Sequence, residues 1–344
     1  MRTIDDLRNL QALPLSLKKR LTQDRIRAWV REFGEDGVYI SFSGGKDSTV
    51  LLYLVRELYP EIPAVFCDTG LEYPEIRDFV KTFQNVTWLK PKMNFRAVIE
   101  KHGYPFISKE VSFAVHGARY FLENKQKYKN KKPLPVQNED DEYKPYALLR
   151  LEGKIGKNDS GDGYSMFNCS KWYFLLGSPY WYGSKCCDVM KKEPFKEYEK
   201  ETGRKPFTAM MASESRLRKK NWLLHGCNMF DAKKQISNPM SFWTENDVLQ
   251  YIKENGIVIA SVYGEIVEEG ELPGQMTIND FIESDIEQKY KTTKMKRTGC
   301  MFCGYGCHLE KPGEGRFELM KETHPKQYEY IMKPWSRGGS GIKK

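Results

Sequence analysis

Residues 38–48 read Val-Tyr-Ile-Ser-Phe-Ser-Gly-Gly-Lys-Asp-Ser, and the mostly apolar run Thr49-Val-Leu-Leu-Tyr-Leu-Val-Arg-Glu-Leu follows directly. This order predicts a strand, a glycine turn and then a helix. Such a turn aims successive backbone N–H groups and the positive end of the helix dipole at one point. We therefore expect an anion to bind there.

The residues of the turn distinguish between two kinds of phosphate loop. A Walker A loop requires a glycine where this chain has Ile40, and a serine or threonine where it has Asp47. Residues 43–48 instead resemble the Ser-Gly-Gly-Lys-Asp-Ser signature of the PP-loop ATP pyrophosphatases. The resemblance implies that ATP is cleaved between its α and β phosphates, and that it is bound by Ser43, Gly44, Gly45, Lys46, Asp47 and Ser48. The alternative is an ordinary glycine-rich turn before a helix.

Composition describes a soluble globular protein. The 344 residues are 40% hydrophobic and 29% charged, which is enough for one large or two modest domains. No apolar stretch approaches the length of a membrane span or a signal-peptide core, so we expect a cytoplasmic protein.

The net charge of +9 suits partners that carry phosphate. The excess is concentrated in residues 125–132, 216–220 and 291–297. A solvated surface accounts for each run taken singly. Three such runs around a nucleotide site would favour a DNA or RNA substrate.

The pattern along the chain predicts an α/β fold. An amphipathic helix over 17–33 precedes alternating strands and helices at 37–42, 48–59, 62–67, 74–84 and 86–90. Alternation of this kind predicts a twisted parallel sheet with right-handed crossovers and helices on both faces. Ligands of such sheets bind beyond the C-terminal ends of the strands, where residues 43–47 and Asp68 fall.

The second half of the chain has weaker signals. A helix is predicted over 107–124, strands over 207–211 and 222–227, and a helix over 245–254 with Thr244 as its N-cap. We expect three segments: a helical one at 1–35, a nucleotide-binding domain at 36–260 with an insertion or partly mobile loop at about 126–165, and a cysteine-rich lobe at 261–344. The glycine-rich tail beyond Met332 is predicted to fray.

Four of the eight cysteines form a pattern of their own. Cys186 and Cys187 are adjacent, and Cys300 and Cys303 form a C-x-x-C pair. Four thiolates bind either a tetrahedral zinc ion or an iron–sulfur cluster. Adjacent cysteines splay apart and suit two irons of a larger cluster, so we expect [4Fe–4S] ahead of zinc, with an unmetallated group as a third alternative.

Several stretches are similar to the assimilatory reductases of adenylyl sulfate and phosphoadenylyl sulfate (PAPS). They are the Cys-Cys-x-x-x-Lys segment at 185–194, Asp-Thr-Gly at 68–75, Glu-Ser-x-x-Arg at 214–218 and Pro-x-x-x-Trp-x-x-x-Asp-Val at 238–252. The resemblance covers roughly residues 36–310. It implies that Cys186, Cys187, Cys300 and Cys303 are the cluster ligands. It also favours Asp68 and Arg218 as nucleotide ligands, although Asp68 would equally serve to cap its turn and Arg218 to carry a surface charge.

Two departures from the reductases bear on function. Reductases of this kind usually carry an altered phosphate loop, whereas this chain keeps Lys46 and both glycines. They also end in Glu-Cys-Gly-Leu-His, whose cysteine attacks the sulfonate, and the corresponding tail here is Ser340-Gly-Ile-Lys-Lys. Cys307, next to His308, is the nearest substitute. We expect it to be either a reactive low-pKa thiolate that carries sulfur or a structural cysteine.

Both departures resemble relatives that use ATP, the DNA phosphorothioation enzyme and the tRNA thiolases. The expected function is ATP-dependent adenylation with release of pyrophosphate, followed by sulfur transfer from a donor such as a cysteine desulfurase. Lys46, Asp47 and Cys307 are the candidate catalytic residues, with Mg²⁺ at the phosphates. The alternatives are a thioredoxin-coupled sulfonucleotide reductase and a nucleotide-sensing or nucleic-acid-binding module with a structural cluster.

Overall fold

The computed structural model describes residues 2–137, 142–155, 167–269, 288–313 and 315–333. The chain divides into two compact units. Unit 1 comprises Met1–Lys90 and Glu193–Cys300, and unit 2 comprises Pro91–Lys192 and Met301–Lys344. These bounds differ from the three predicted segments, because residues 91–192 separate from the nucleotide-binding domain and group with residues 301–344.

The helices and strands are numbered here in chain order. The helices are α1 (Ile4–Gln11), α2 (Leu15–Phe33), α3 (Lys46–Arg56), α4 (Pro74–Lys81), α5 (Phe95–His102), α6 (Lys109–Glu123), α7 (Tyr146–Leu151), α8 (Glu193–Thr202), α9 (Arg216–His225), α10 (Glu245–Glu254), α11 (Arg316–Thr323) and α12 (Pro325–Met332). The strands are β1 (Val38–Ser41), β2 (Ala64–Cys67), β3 (Val86–Leu89), β4 (Phe106–Ile107), β5 (Lys205–Phe207), β6 (Asn228–Met229), β7 (Ile236–Ser237), β8 (Ile266–Glu268), β9 (Tyr290–Thr292) and β10 (Gly304–Tyr305).

Unit 1 is built on a six-stranded sheet in the order β3-β2-β1-β5-β7-β6. Its strands pair in parallel except for β6 and β7. Successive side chains of a strand point to opposite faces. Tyr39 of β1 packs against Tyr198 of α8 on one face. Phe207, in register with Ile40, packs against Trp29 of α2 on the other face. The predicted α/β fold with helices on both faces is confirmed.

Most predicted elements of unit 1 are found within a few residues of their expected places. The structure confirms Thr244 as the N-cap of α10, where its side chain accepts a hydrogen bond from the Asp247 N–H. The strand predicted over 222–227 is wrong, because residues 216–225 form α9. Ser215 caps the start of that helix and Gly226, with φ +75°, ends it. The strand predicted over 207–211 begins earlier and ends at Phe207.

Unit 2 has its own hydrophobic core around α6. Residues of α7, among them Leu148 and Leu151, pack into the same core. The predicted insertion at about 126–165 is therefore corrected in part: its residues 146–151 form a packed helix, because their leucines bury against α6. The described residues do not include 138–141 and 156–165 of this insertion or 334–344 of the tail.

The eight cysteines form no disulfide. Cys67, Cys169 and Cys227 are buried among core residues. No helix within the described ranges is long and apolar enough to cross a membrane.

Candidate nucleotide site and cysteine group

The phosphate loop of unit 1 is held closed by its own serines. Gly44 has φ +70°, and Gly45 is the N-cap from which α3 begins. The Ser43 and Ser48 hydroxyls lie 3.0 Å apart, and the Ser48 hydroxyl donates to the Gly45 carbonyl at 2.9 Å. The sequence therefore folds locally into the predicted strand, turn and helix, with the N-terminus of α3 at the turn.

Gly44 and Gly45 are each needed for a different steric reason. A Cβ atom on Gly44 would lie 2.7 Å from Val80 Cγ2 and 2.8 Å from Ile76 Cγ2, both on α4. A Cβ atom on Gly45 would lie 3.2 Å from the Tyr263 hydroxyl and 3.3 Å from Ser43 Oγ. Gly44 thus permits packing of the loop on α4, and Gly45 keeps open a small polar space beside the N-terminus of α3.

Lys46 lies at the centre of a buried charge cluster. Its Nζ is 3.1 Å from Asp47 Oδ1 and 3.1 Å from Glu245 Oε1, and its side chain is 3% exposed. Burial lowers the pKa of Lys46, but the Asp47 and Glu245 carboxylates outweigh burial and raise it. The ammonium is therefore charged throughout the neutral range and is paired with carboxylates that a phosphate could replace.

The backbone N–H of Lys46 also has a partner. It donates to the Tyr263 hydroxyl at 3.2 Å, and that hydroxyl lies 2.6 Å from Thr298 Oγ1. Burial raises the pKa of Tyr263, so the phenol stays neutral. Sequence reasoning missed Glu245, Tyr263 and Thr298. Glu245 adjoins the predicted cap Thr244, which was a usable signal, whereas Tyr263 and Thr298 lie in no motif.

Two arginines bring positive charge near the same loop. Burial lowers the pKa of Arg218, the nearby Arg297 guanidinium lowers it further, and Asp47 acts in the opposite direction. Arg218 also forms an ion pair with Glu214, one turn away on the chain. The structure thus places Arg218 close enough to Asp47 for their charges to interact, and the role of Arg218 as a nucleotide ligand stays a prediction. It also places Arg297 near Arg218, whereas the sequence showed Arg297 only as the end of a basic run.

Asp68 lies just after β2, at the sheet edge where β1 leads into the loop. Its carboxylate accepts the Gly70 N–H at 3.1 Å and forms an ion pair with Arg77 of α4 at 2.7 Å. These contacts are those of a turn cap, the structural alternative for this residue. Its role as a nucleotide or magnesium ligand stays a prediction.

Unit 2 gathers thiols around two tyrosines. Burial raises the pKa of Tyr104, and the thiols of Cys303, Cys307 and Cys186 raise it further. Burial likewise raises the pKa of Tyr305, with further contributions from Cys187 and Cys303. The adjacent pair Cys186–Cys187 is thus near Cys303 in the fold. Cys300 is the last residue of unit 1.

Two opposing effects act on the Cys307 thiol. Burial raises its pKa, and this effect outweighs the Arg316 guanidinium, which lies 3.3 Å from its sulfur. The choice between a sulfur-carrying thiolate and a structural cysteine stays a prediction. His308 packs edge-on against Trp172, with ring centroids 5.3 Å apart, and burial lowers its pKa.

The predicted metal centre has a donor set of four cysteines. Among the residues described, no three histidine, cysteine, aspartate or glutamate side chains are placed to share one metal ion. One tetrahedral zinc would bring its sulfurs within about 4 Å of one another, since each lies about 2.3 Å from the ion. An iron–sulfur cluster spreads its thiolate ligands over several irons, so cysteines that do not surround one ion are compatible with a cluster, and the cluster stays a prediction.

The family model for the phosphoadenosine phosphosulfate reductase domain matches residues 37–116 and 168–304, more than half of the chain. A PAPS reductase structure from Candida auris aligns with 76% of this chain and 91% of its own, at 15% identity and a TM-score of 0.37.

Curated relatives match over shorter stretches. An uncharacterized protein of Methanocaldococcus jannaschii is 44% identical over 70 residues, which are 19% of this chain and 17% of the relative. PAPS reductases of Xylella fastidiosa and Buchnera aphidicola are 34% identical over 76 residues and 36% identical over 90 residues, respectively. These stretches are 22% and 26% of this chain and only 32% and 36% of the relatives. By the extent of the family match, the chain belongs to the phosphoadenosine phosphosulfate reductase domain family.

Proposed function

We propose that the protein cleaves ATP to AMP and pyrophosphate at the loop formed by residues 43–48, and that the adenylated intermediate supports sulfur transfer to a nucleic-acid or small-molecule acceptor. The observation that carries the proposal is the state of Lys46. Its buried ammonium is matched by two carboxylates at 3.1 Å at a helix N-terminus, and Arg218 lies close enough to Asp47 for their charges to interact. A pyrophosphate has the charge and the oxygen acceptors to take the place of those carboxylates.

The chemistry follows from where negative charge develops. An acceptor oxygen attacks the α-phosphorus, the bond from the α-phosphorus to the bridging oxygen breaks, and pyrophosphate leaves with the electron pair. Lys46 and the N–H groups at the start of α3 would stabilise that leaving charge. Asp47 would hold the Mg²⁺ of the nucleotide, because carboxylate and phosphate oxygens are its preferred ligands. A sulfur nucleophile then displaces AMP from the acceptor.

The proposed cofactor is a [4Fe–4S] cluster on Cys186, Cys187, Cys300 and Cys303. The gathered thiols of unit 2 and the C-x-x-C spacing support this ligand set. Burial raises the pKa of Cys303, and the nearby charges of Arg316 and Lys191 act in the opposite direction. When bound, such a cluster supplies anchoring for the cysteine loops and, if it exchanges sulfur, a sulfur source. A persulfide donor such as a cysteine desulfurase is the proposed partner.

The second candidate function is reduction of PAPS or adenylyl sulfate with thioredoxin. It is favoured by the names of the curated relatives from Xylella fastidiosa and Buchnera aphidicola. Burial raises the pKa of Cys307, which disfavours the thiolate form that this reduction requires.

One anaerobic experiment separates the two. The protein is incubated in parallel with ATP and Mg²⁺ in the presence of candidate acceptors, and with each sulfonucleotide and reduced thioredoxin. AMP and pyrophosphate in equal amounts support the proposal. Sulfite without pyrophosphate release from ATP would replace it with the reductase.

A further inference from the structure

Unit 2 exposes an unusual set of aromatic side chains. Of the aromatic side chains at least 40% exposed among the described residues, Tyr53 belongs to unit 1 and all others to unit 2. We call three of them the aromatic face: Phe113, Tyr120 and Trp181, each between 45% and 58% exposed. Exposed apolar surface of this kind is costly in water and marks interaction sites.

The aromatic face is carried by α6 and the segment that packs on it. Phe113, His116 and Tyr120 occupy one face of α6 by helical spacing, and all three are exposed. The Trp181 ring lies 6.0 Å from the His116 ring, centroid to centroid. The guanidinium of Arg119 donates to the carbonyls of Leu175, Ser178 and Tyr180, and so fixes the segment to α6. A rigid base of this kind holds the rings in place before any ligand binds.

Lysines accompany these rings. Lys127 Nζ lies 5.2 Å from the centre of the Tyr120 ring and donates to its hydroxyl at 3.2 Å. Residues 125–132, directly after α6, contain five exposed lysines and no acidic residue. Lysine is depleted from protein–protein interfaces, whereas phosphate backbones require it.

We propose that the aromatic face of unit 2 binds single-stranded nucleic acid, with unpaired bases stacked on the exposed rings and the backbone phosphates near lysines 125–132. Stacking platforms flanked by positive charge are the general means of binding single strands. A duplex hides the faces of its bases, so it should bind less well. The bound strand would be the acceptor in the proposed function. Only its role as acceptor rests on that function, and the binding itself does not.

Binding is measured without ATP, so that its failure differs from failure of the proposed chemistry. Fluorescence anisotropy follows titration of the full chain into labelled DNA and RNA single strands of about 12 nucleotides, a length within the usual range for one site. A duplex of the same sequence is titrated alongside. We expect single strands to bind more tightly than the duplex, with an affinity that falls as salt rises.

Three substitutions and one control test the role of the rings. Phe113→Ala and Trp181→Ala should each weaken binding about 5- to 150-fold, the range for one lost base–aromatic stack. Phe113→Leu keeps apolar area but removes the flat ring, so it should weaken binding nearly as much. Tyr53→Ala, an exposed aromatic of unit 1, should leave binding unchanged. Circular dichroism checks that each variant is folded.

Three results would overturn the proposal. The first is no binding of either single strand at low salt. The second is binding in which Phe113→Ala and Trp181→Ala match the unsubstituted protein. The third is an unsubstituted protein that sediments as a dimer and variants that sediment as monomers but bind the oligonucleotides equally well. That result would assign the face to contact with a second copy of the chain.

Discussion

Lys46 Nζ and Glu245 Oε1 lie 3.1 Å apart, which joins the first turn of α3 to the first turn of α10. The contact places a carboxylate where the nucleotide phosphates are expected. The substitution Glu245→Gln removes this charge and should tighten pyrophosphate binding about 2- to 10-fold, because a phosphate no longer has to displace a full negative charge. Isothermal titration calorimetry measures this directly. A tenfold weakening would instead make Glu245 a ligand of the nucleotide or its metal.

The two loop glycines should fail in different ways when replaced by alanine. Gly44→Ala should lower the free energy of unfolding by at least about 2 kcal/mol, because the new Cβ meets α4 and the backbone has positive φ. Gly45→Ala should leave stability nearly unchanged but weaken pyrophosphate binding, since its Cβ enters the polar space next to Tyr263.

Gly70→Ala is the control for positive φ alone. Gly70 has φ +72°, and nothing lies within 4 Å of the added Cβ. The Gly70→Ala substitution should lower the free energy of unfolding by about 1 kcal/mol. Urea unfolding checks all three variants, and equal losses for Gly44→Ala and Gly70→Ala would contradict the steric account.

A buried ion pair anchors α10, which carries Glu245. Lys18 Nζ lies 2.7 and 2.8 Å from the two carboxylate oxygens of Asp247, and both side chains are nearly inaccessible. Lys18→Met leaves that carboxylate buried without its cation, and should lower the free energy of unfolding by about 3–5 kcal/mol. Lys19→Met removes a partly exposed ion pair with Glu57 and should lower the free energy of unfolding by only about 0–1 kcal/mol. Chemical denaturation of both variants tests the difference, and similar losses would contradict it.

The cysteine prediction concerns metal content. In anaerobically prepared protein, Cys186→Ser and Cys303→Ser should lose most of the iron and labile sulfide. Cys227→Ser should retain both, because Cys227 is a buried packing residue that accepts a hydrogen bond from Ser241 at 3.2 Å. Metal analysis and the visible spectrum report the outcome. Stoichiometric zinc, or iron unchanged in Cys186→Ser, would refute the cluster.

The sequence predicted those parts of the fold that depend on neighbouring residues. The strand, turn and helix around Lys46 follow from local glycine and apolar patterns, and the start of α10 follows from the Thr244 cap. The apolar residues near Trp222 misled the prediction of a strand. Of the residues in α9 only Trp222 is buried, while Ser215 and Gly226 set the ends of the helix.

The contacts of the site could not be predicted in the same way. The Tyr263 hydroxyl accepts the Lys46 N–H and contacts the Thr298 hydroxyl, and both residues come from distant parts of the chain and stand in no recognisable motif. The aromatic face was hidden for a related reason. A ring at a helical position is read as core, and only the fold shows that Phe113 and Tyr120 point to solvent.

The central claim is that Lys46 serves cleavage of ATP between the α and β phosphates. The most direct test compares AMP and pyrophosphate release by the unsubstituted protein, Lys46→Ala and the control Lys19→Ala, with Mg²⁺ and an acceptor strand under anaerobic conditions. We predict equimolar AMP and pyrophosphate from the unsubstituted protein and the control, and a loss of about 10²- to 10³-fold in Lys46→Ala. Release of ADP and phosphate instead, or full activity of Lys46→Ala, would contradict the account.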